Sequence, residues 1–144
     1  MTRLRQWHSL NDIENEIKMK ARSAKNKGKH LQQWVAERIA QVTGYSCGKD
    51  ELIASREMGQ SGPDIRLLGP AREAFPFYVE CKNQETWVIP RWINQVKSSS
   101  IAYGAVDGPN PSIWLLFIKK NRMDPIVVMD ADTFFDILEI VVGE

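Results

Sequence analysis

The stretch that most constrains this chain is Ser112-Ile-Trp-Leu-Leu-Phe-Ile118, followed after the polar turn Lys119 to Asp124 by Pro125-Ile-Val-Val-Met129. Both runs are continuously apolar rather than alternating, and both are short. Strands of that kind are buried on two faces, so both are expected in the interior of a sheet with helices packed above and below it. The elements before them suit this arrangement. A helix is expected from about Ile13 into a lysine-rich stretch, with Asn11-Asp12 as its cap, and a stronger one follows Asn26-Lys-Gly28. In the second, Leu31, Trp34, Val35, Ile39 and Val42 recur at three- and four-residue steps until Thr43-Gly44 stops it.

After a glycine-rich loop ending in Gly62-Pro63, Asp64-Ile-Arg-Leu-Leu68 reads as a strand. Ala71 to Ala74 is a connection, and Phe77-Tyr-Val-Glu-Cys-Lys82 is the next strand, expected to pair with the first as a hairpin. Pro90 suits the first turn of a helix whose Trp92, Val96, Ile101 and Tyr103 track one face before the turn Asp107 to Pro111. Asp130-Ala-Asp-Thr133 opens a last helix carrying Phe134, Phe135, Ile137, Leu138 and Val141. The predicted fold class is α/β, a central mixed β-sheet flanked by helices in the order α-β-β-α-β-β-α, as one domain over residues 1–144.

Composition narrows the class further. No apolar run approaches the roughly 20 residues that span a bilayer, and the N-terminus lacks the apolar core of a signal peptide, so a cytoplasmic location is expected. Two cysteines without CxxC spacing and two histidines make a structural zinc site improbable. The formal net charge of +1 does not signal nucleic-acid binding, but its distribution is uneven. A basic helical segment, about residues 11–29, carries Lys18, Lys20, Arg22, Lys25, Lys27 and Lys29, whereas the tail from Asp124 is acidic.

Three charges sit awkwardly in this scheme. Asp64, Glu80 and Lys82 lie in or beside strands that otherwise read as buried, where an ionised group is costly unless paired or bound to a metal. Glu80 and Lys82 are separated by one residue in a strand and so project from the same face. A neighbouring strand that begins at Asp64 brings a second carboxylate beside Glu80, and two such groups repel unless a divalent cation lies between them. Mg²⁺ suits that position, because it takes hard oxygen ligands, few protein carboxylates, and water or phosphate oxygens. Lys82 beside it would orient or help deprotonate an attacking water, which points to metal-assisted phosphodiester hydrolysis. The competing reading is an edge salt bridge of Lys82 with Glu80 or Asp64.

Pro63-Asp64, then Glu80-Cys-Lys82 after the apolar Phe-Tyr-Val run, resembles the signature of the PD-(D/E)xK nucleases over roughly Gly28 to Met129. The resemblance implies that Asp64 and Glu80 bind Mg²⁺, with Mn²⁺ as a substitute. It also implies that the Cys81 backbone carbonyl is a further ligand and that Lys82 is the catalytic lysine. Many members add an acid from the preceding helix. Glu37 is the candidate here, with Gln33 and Gln32 as alternatives, and a surface ion pair is the competing reading for Glu37. Gln84 and Gln95 are further polar residues within reach of substrate or simply on the surface. Trp87 is a candidate to stack on a base, and Trp92 a core or dimer residue.

Lys25, Lys27 and Lys29 are candidate DNA contacts, since a phosphodiesterase must neutralise the backbone. The compact layout resembles the Holliday-junction resolvases and phage endonucleases of the same superfamily. That likeness implies a branched DNA substrate, a homodimer with two active sites, and a bacterial or phage-infected cell as the setting. Restriction-like or repair cleavage of linear or single-stranded DNA, and a catalytically silent DNA-binding module, are the alternatives.

Overall fold

The computed structural model describes residues 9–57, 59–107 and 113–143. Its first element, α1, runs unbroken from Leu10 to Thr43, about 51 Å at 1.5 Å per residue. The cap is Ser9 rather than Asn11-Asp12: the Ser9 hydroxyl accepts from Asp12 N–H and the Asp12 carboxylate accepts from Ser9 N–H, each at 3.1 Å. This reciprocal pair satisfies two of the donors that a helix start leaves open.

No break occurs at Gly28, so the two expected helices are one. A glycine inside a helix costs only about 1 kcal/mol relative to alanine, and the turns just beyond it bury Leu31, Val35, Ala36 and Ile39, each leucine, valine or isoleucine contributing about 1.5–3 kcal/mol. Trp34 and Val42 do not join that stripe. Trp34 sits at its margin under the Arg38 guanidinium, 5.0 Å away, and Val42 is 81% exposed. The stop is as expected: Gly44 has φ 80° and its N–H bonds to Ala40 O at 2.8 Å, a left-handed conformation that glycine adopts without penalty.

The next elements are β1 (Ile53–Ser55), β2 (Ile65–Leu67), α2 (Gly69–Ala74) and β3 (Phe77–Asn83). They correct the predicted hairpin. The ladder partner of β2 is β1, antiparallel with Ser55 opposite Ile65, and α2 occupies the connection between β2 and β3. β1 escaped the sequence reading because three residues, Ile-Ala-Ser, are too few to show a period. Where the chain enters β2, Asp64 N–H donates to Val79 O of β3 at 2.8 Å.

From β3 the chain crosses through α3 (Ile89–Asp107) to β4 (Ile113–Lys119), which pairs parallel with β3 from Phe77 opposite Ile113 to Asn83 opposite Lys119. Parallel strands need such a crossover, and a helix is its usual form. β5 (Ile126–Val128) then pairs antiparallel with β4, giving the order β3-β4-β5. β4 is therefore interior as expected, but β5 is an edge with Ile126 and Val127 exposed. The turn predicted at 107–111 extends beyond the described residues. α4 (Ala131–Val142) closes the chain and leaves Phe134, Phe135, Leu138 and Val141 exposed.

Two cores explain the layering. Val79 and Cys81 point from β3 into one, with Leu31, Val35 and Ile39 of α1 and Ile53 and Ile65 of the small sheet. Tyr78 points into the other, with Trp92 and Val96 of α3 and Trp114, Leu116 and Ile118 of β4. Trp92 is thus a core residue, and Ser100 rather than Ile101 continues the buried face of α3. Helices on both faces of mixed strands make this an α/β fold of the restriction-endonuclease type. Among the described residues, no helix is long and apolar enough to cross a membrane.

Candidate active site

The loop before β2 holds Asp64 in place through its backbone. Gly62 takes φ 111°, and Arg56 braces the turn by donating from Nε to Pro63 O at 2.6 Å. Arg56 N–H also donates to Asp64 O at 2.7 Å, while Asp64 N–H bonds to Val79 O. The Asp64 carboxylate then accepts from Cys81 N–H at 2.7 Å. Its position is set on the edge of β3 that β4 leaves open.

Period two along β3 puts Glu80 and Lys82 on the Tyr78 side, facing α3. Burial pushes the Glu80 carboxyl up to about 8, Asp64 adds to this by its charge and by a hydrogen bond, and Lys82 acts the other way. Burial, with help from Glu80, also pushes the Tyr78 phenol up to about 12. The Cys81 thiol rises well above its ordinary range, first through burial and then through Asp64 and Glu80. Glu80 and Tyr78 on the α3 face and Cys81 on the opposite face of β3 all resist deprotonation. Two carboxylates held this way retain a proton between them unless a cation takes its place.

The donor set suits a hard divalent cation. Among the described residues, no group of three or more His, Cys, Asp or Glu side chains is placed to hold a metal, so only the two carboxylates are in position. Mg²⁺ commonly binds through one or two carboxylates and fills its other positions with water or phosphate oxygens. In a strand the N–H and C=O of one residue leave by the same edge. Since Cys81 N–H meets Asp64, its carbonyl is directed toward that edge too.

Glu80 and Lys82 open into a cleft of about 560 Å³ whose far wall is α3, with Arg91, Asn94, Gln95 and Ser98 on it. Gln95 was among the sequence candidates. Arg91, Asn94 and Ser98 were not, although their three- and four-residue spacing on one helix face is the signal that finds them. Gln84 lies outside this cleft, exposed, with its N–H on Lys119 O at 3.0 Å.

The α1 candidates are placed elsewhere. Gln33 Nε2 donates to Glu37 Oε1 at 3.1 Å on the exposed side of the helix. The charge of Glu37 is felt by Cys47, whose thiol is raised mainly by burial. Gln32 is buried on the inner side. The three lysines also separate: Lys25 is exposed, Lys27 Nζ lies 3.6 Å from Glu85, and Lys29 lines a different cleft beside Gln33. Trp87 is tied by its Nε1 to Gln84 O at 2.9 Å and sits 5.3 Å from Lys120 Nζ.

An aspartate at a strand start, a glutamate and a lysine separated by one residue on the adjoining strand, and helices on both faces are the marks of a PD-(D/E)xK nuclease. Residues 23–141 match the family described as "Phage putative PDDEXK endonuclease", and the chain belongs to that family. No curated protein and no solved structure matches it.

Proposed function

We propose that the chain is a Mg²⁺-dependent DNA endonuclease that hydrolyses phosphodiester bonds, with branched DNA such as a four-way junction as its preferred substrate. The observation that carries this reading is the Asp64–Glu80 pair, with Glu80 raised to about 8 by burial and by its neighbour, beside Lys82 in an open cleft.

In this reading Asp64 and Glu80 would hold the ion, Mn²⁺ substituting for Mg²⁺, with the Cys81 carbonyl as a further ligand. The ion, when bound, acidifies a water and neutralises charge on the phosphodiester. Lys82 shares the face of Glu80, and its ammonium orients the attacking water oxygen and offsets negative charge gathering on the phosphorus oxygens. The attacking water gives up one proton to solvent as its oxygen bonds to phosphorus, the opposite P–O bond breaks, and the leaving alkoxide takes up a proton from solvent. Arg91, on the far wall of the cleft, is placed to pair with an adjoining phosphate.

One nuclease domain over residues 1–144 would do this work in the cytoplasm of a bacterial or phage-infected cell. Lys25 and Lys29 serve the DNA backbone, and Lys27 does so only if it leaves Glu85. The exposed Phe134, Phe135 and Leu138 face of α4 supports a homodimer, which would supply the two active sites that paired cuts require.

The test is cleavage of a four-way junction, the matched linear duplex and a single strand, each with Mg²⁺ and with EDTA. Symmetric Mg²⁺-dependent cutting of the junction alone is expected. Equal cutting of the linear duplex would replace the branched substrate with a restriction-like or repair one, and no metal-dependent cutting would leave a binding module.

A further inference from the structure

We propose that a second cleft, on the α1 side of β1 and β2, is a phosphate-binding subsite for the nucleic-acid strand entering the site, and that Arg56 couples it to Asp64. The inference rests on the nuclease reading for its substrate. Its evidence is separate.

The cleft measures about 430 Å³ and gathers four cations from four parts of the chain: Lys29 of α1, Lys49 of the turn before β1, Arg56 just after β1, and Arg66 of β2. Asp50 and Glu57 are the acids on its wall, leaving two positive charges in excess. Such a concentration within a concave surface favours a polyanion. Arg66 is fixed rather than loose, since its Nη2 donates to Lys49 O at 3.1 Å and to Glu51 O at 2.9 Å. Its Nε is a buried donor without a hydrogen-bond partner among the described residues. A buried donor left unpaired costs about 1–3 kcal/mol, so the Arg66 side chain keeps unused hydrogen-bonding capacity at the cleft wall.

The cations that lead to the cleft decide which polyanion fits. Lys18, Arg22, Lys25 and Lys29 follow one another at steps of four, three and four residues, so they form a single file on one face of α1. The file is about 16 Å long at 1.5 Å per residue, and its last member enters the cleft. A single small anion has no use for such an approach. A strand with repeating phosphates engages it throughout.

Arg56 joins the cleft to the catalytic loop. Its side chain lines the cleft, its Nε holds Pro63 O, and its N–H holds Asp64 O. The guanidinium lies so close over Gly62 that a β-carbon there would meet Cζ at 2.9 Å. A phosphate that draws on this guanidinium therefore acts on the turn that presents Asp64. Arg56 is a positioning residue, not a catalytic one.

Binding of a fluorescent oligonucleotide in EDTA, read across a salt series, tests the subsite without relying on cleavage. Lys29→Ala and Lys49→Ala should each weaken binding severalfold and lower the log–log salt slope by about one. Arg38→Ala, which removes a cation outside the cleft, should leave the slope unchanged. Arg56→Lys keeps the charge but loses the planar fork; it should lower kcat on saturating DNA about tenfold while Kd stays within about twofold of wild type.

Unaltered slopes in both lysine variants would overturn the subsite, and wild-type kcat in Arg56→Lys would overturn the coupling. Complete displacement of the oligonucleotide by inorganic phosphate at matched ionic strength would point to a free anion and overturn the strand assignment. A wild-type chain that binds with the expected slopes but fails to cut with any divalent metal would uphold the subsite while removing the nuclease reading.

Discussion

Asp64 and Glu80 meet where two strands adjoin, whereas Glu37 and Gln33 lie on the exposed flank of α1, bonded to each other at 3.1 Å. Each place holds a carboxylate, but the first sets it against a second carboxylate and the other against an amide. In the first, backbone donors and a dry neighbourhood hold one carboxylate against another and raise Glu80 to about 8. In the second, water solvates the acid and an amide meets it across one helical turn. What separates them is both the partner and the environment: two carboxylates in a dry setting are unfavourable without a cation between them, and an exposed amide–carboxylate pair is not.

The sharpest way to break this comparison is truncation. Asp64→Ala, Glu80→Ala and Lys82→Ala should each lower the single-turnover cleavage rate by about a thousandfold or more, with the circular-dichroism spectrum unchanged. Retention of near-wild-type activity by any one of them would remove that residue from the site.

The pH dependence of stability comes next. Because the Glu80 carboxyl is raised from its ordinary 4.5 to about 8, the folded state binds more protons than the unfolded state across that window. Stability of the metal-free chain should therefore fall as pH rises from about 4.5 to 8, and added Mg²⁺ should raise Tm more at pH 8 than at pH 5. Glu80→Gln should flatten both trends. A Tm profile that Glu80→Gln leaves unaltered would place the strain elsewhere.

Gly62→Ala should be smaller but clear. A β-carbon there would meet the Arg56 guanidinium at 2.9 Å, and the backbone sits at φ 111°, so a loss of about 1–3 kcal/mol is expected in urea unfolding. Glu37→Ala should change the cleavage rate by less than about threefold. A loss of a hundredfold would bring α1 into the chemistry and erase the contrast drawn above. The smallest effect belongs to Gly28→Ala, which should add about 0.5–1 kcal/mol to stability, because nothing lies within 4 Å of the added carbon.

Much of the site was legible in advance because strand alternation alone places Glu80 and Lys82 on one face, and because charges in an apolar strand ask for a reason. The helix stop at Gly44 and the interior place of β4 were legible on similar grounds. Pairing was harder. The partner of β2 is a three-residue strand with no measurable period, and the hairpin inferred from proximity in sequence gave way to α2. The unbroken α1 was hidden by Gly28, whose local preference is overridden by the packing just beyond it. The second cleft was invisible because Lys29, Lys49, Arg56 and Arg66 come from four separate parts of the chain and only tertiary structure gathers them.

The parallel pairing of β3 with β4 also governs when the candidate site is assembled during synthesis. β3 carries Glu80 and Lys82, yet its ladder partner ends at Lys119, and the whole of α3 must form between them. A growing chain that has already made Asp64, Glu80 and Lys82 holds these three side chains of the candidate site without the ladder that aligns them. Since non-local parallel pairings form slowly, β3 and the candidate site it carries set late.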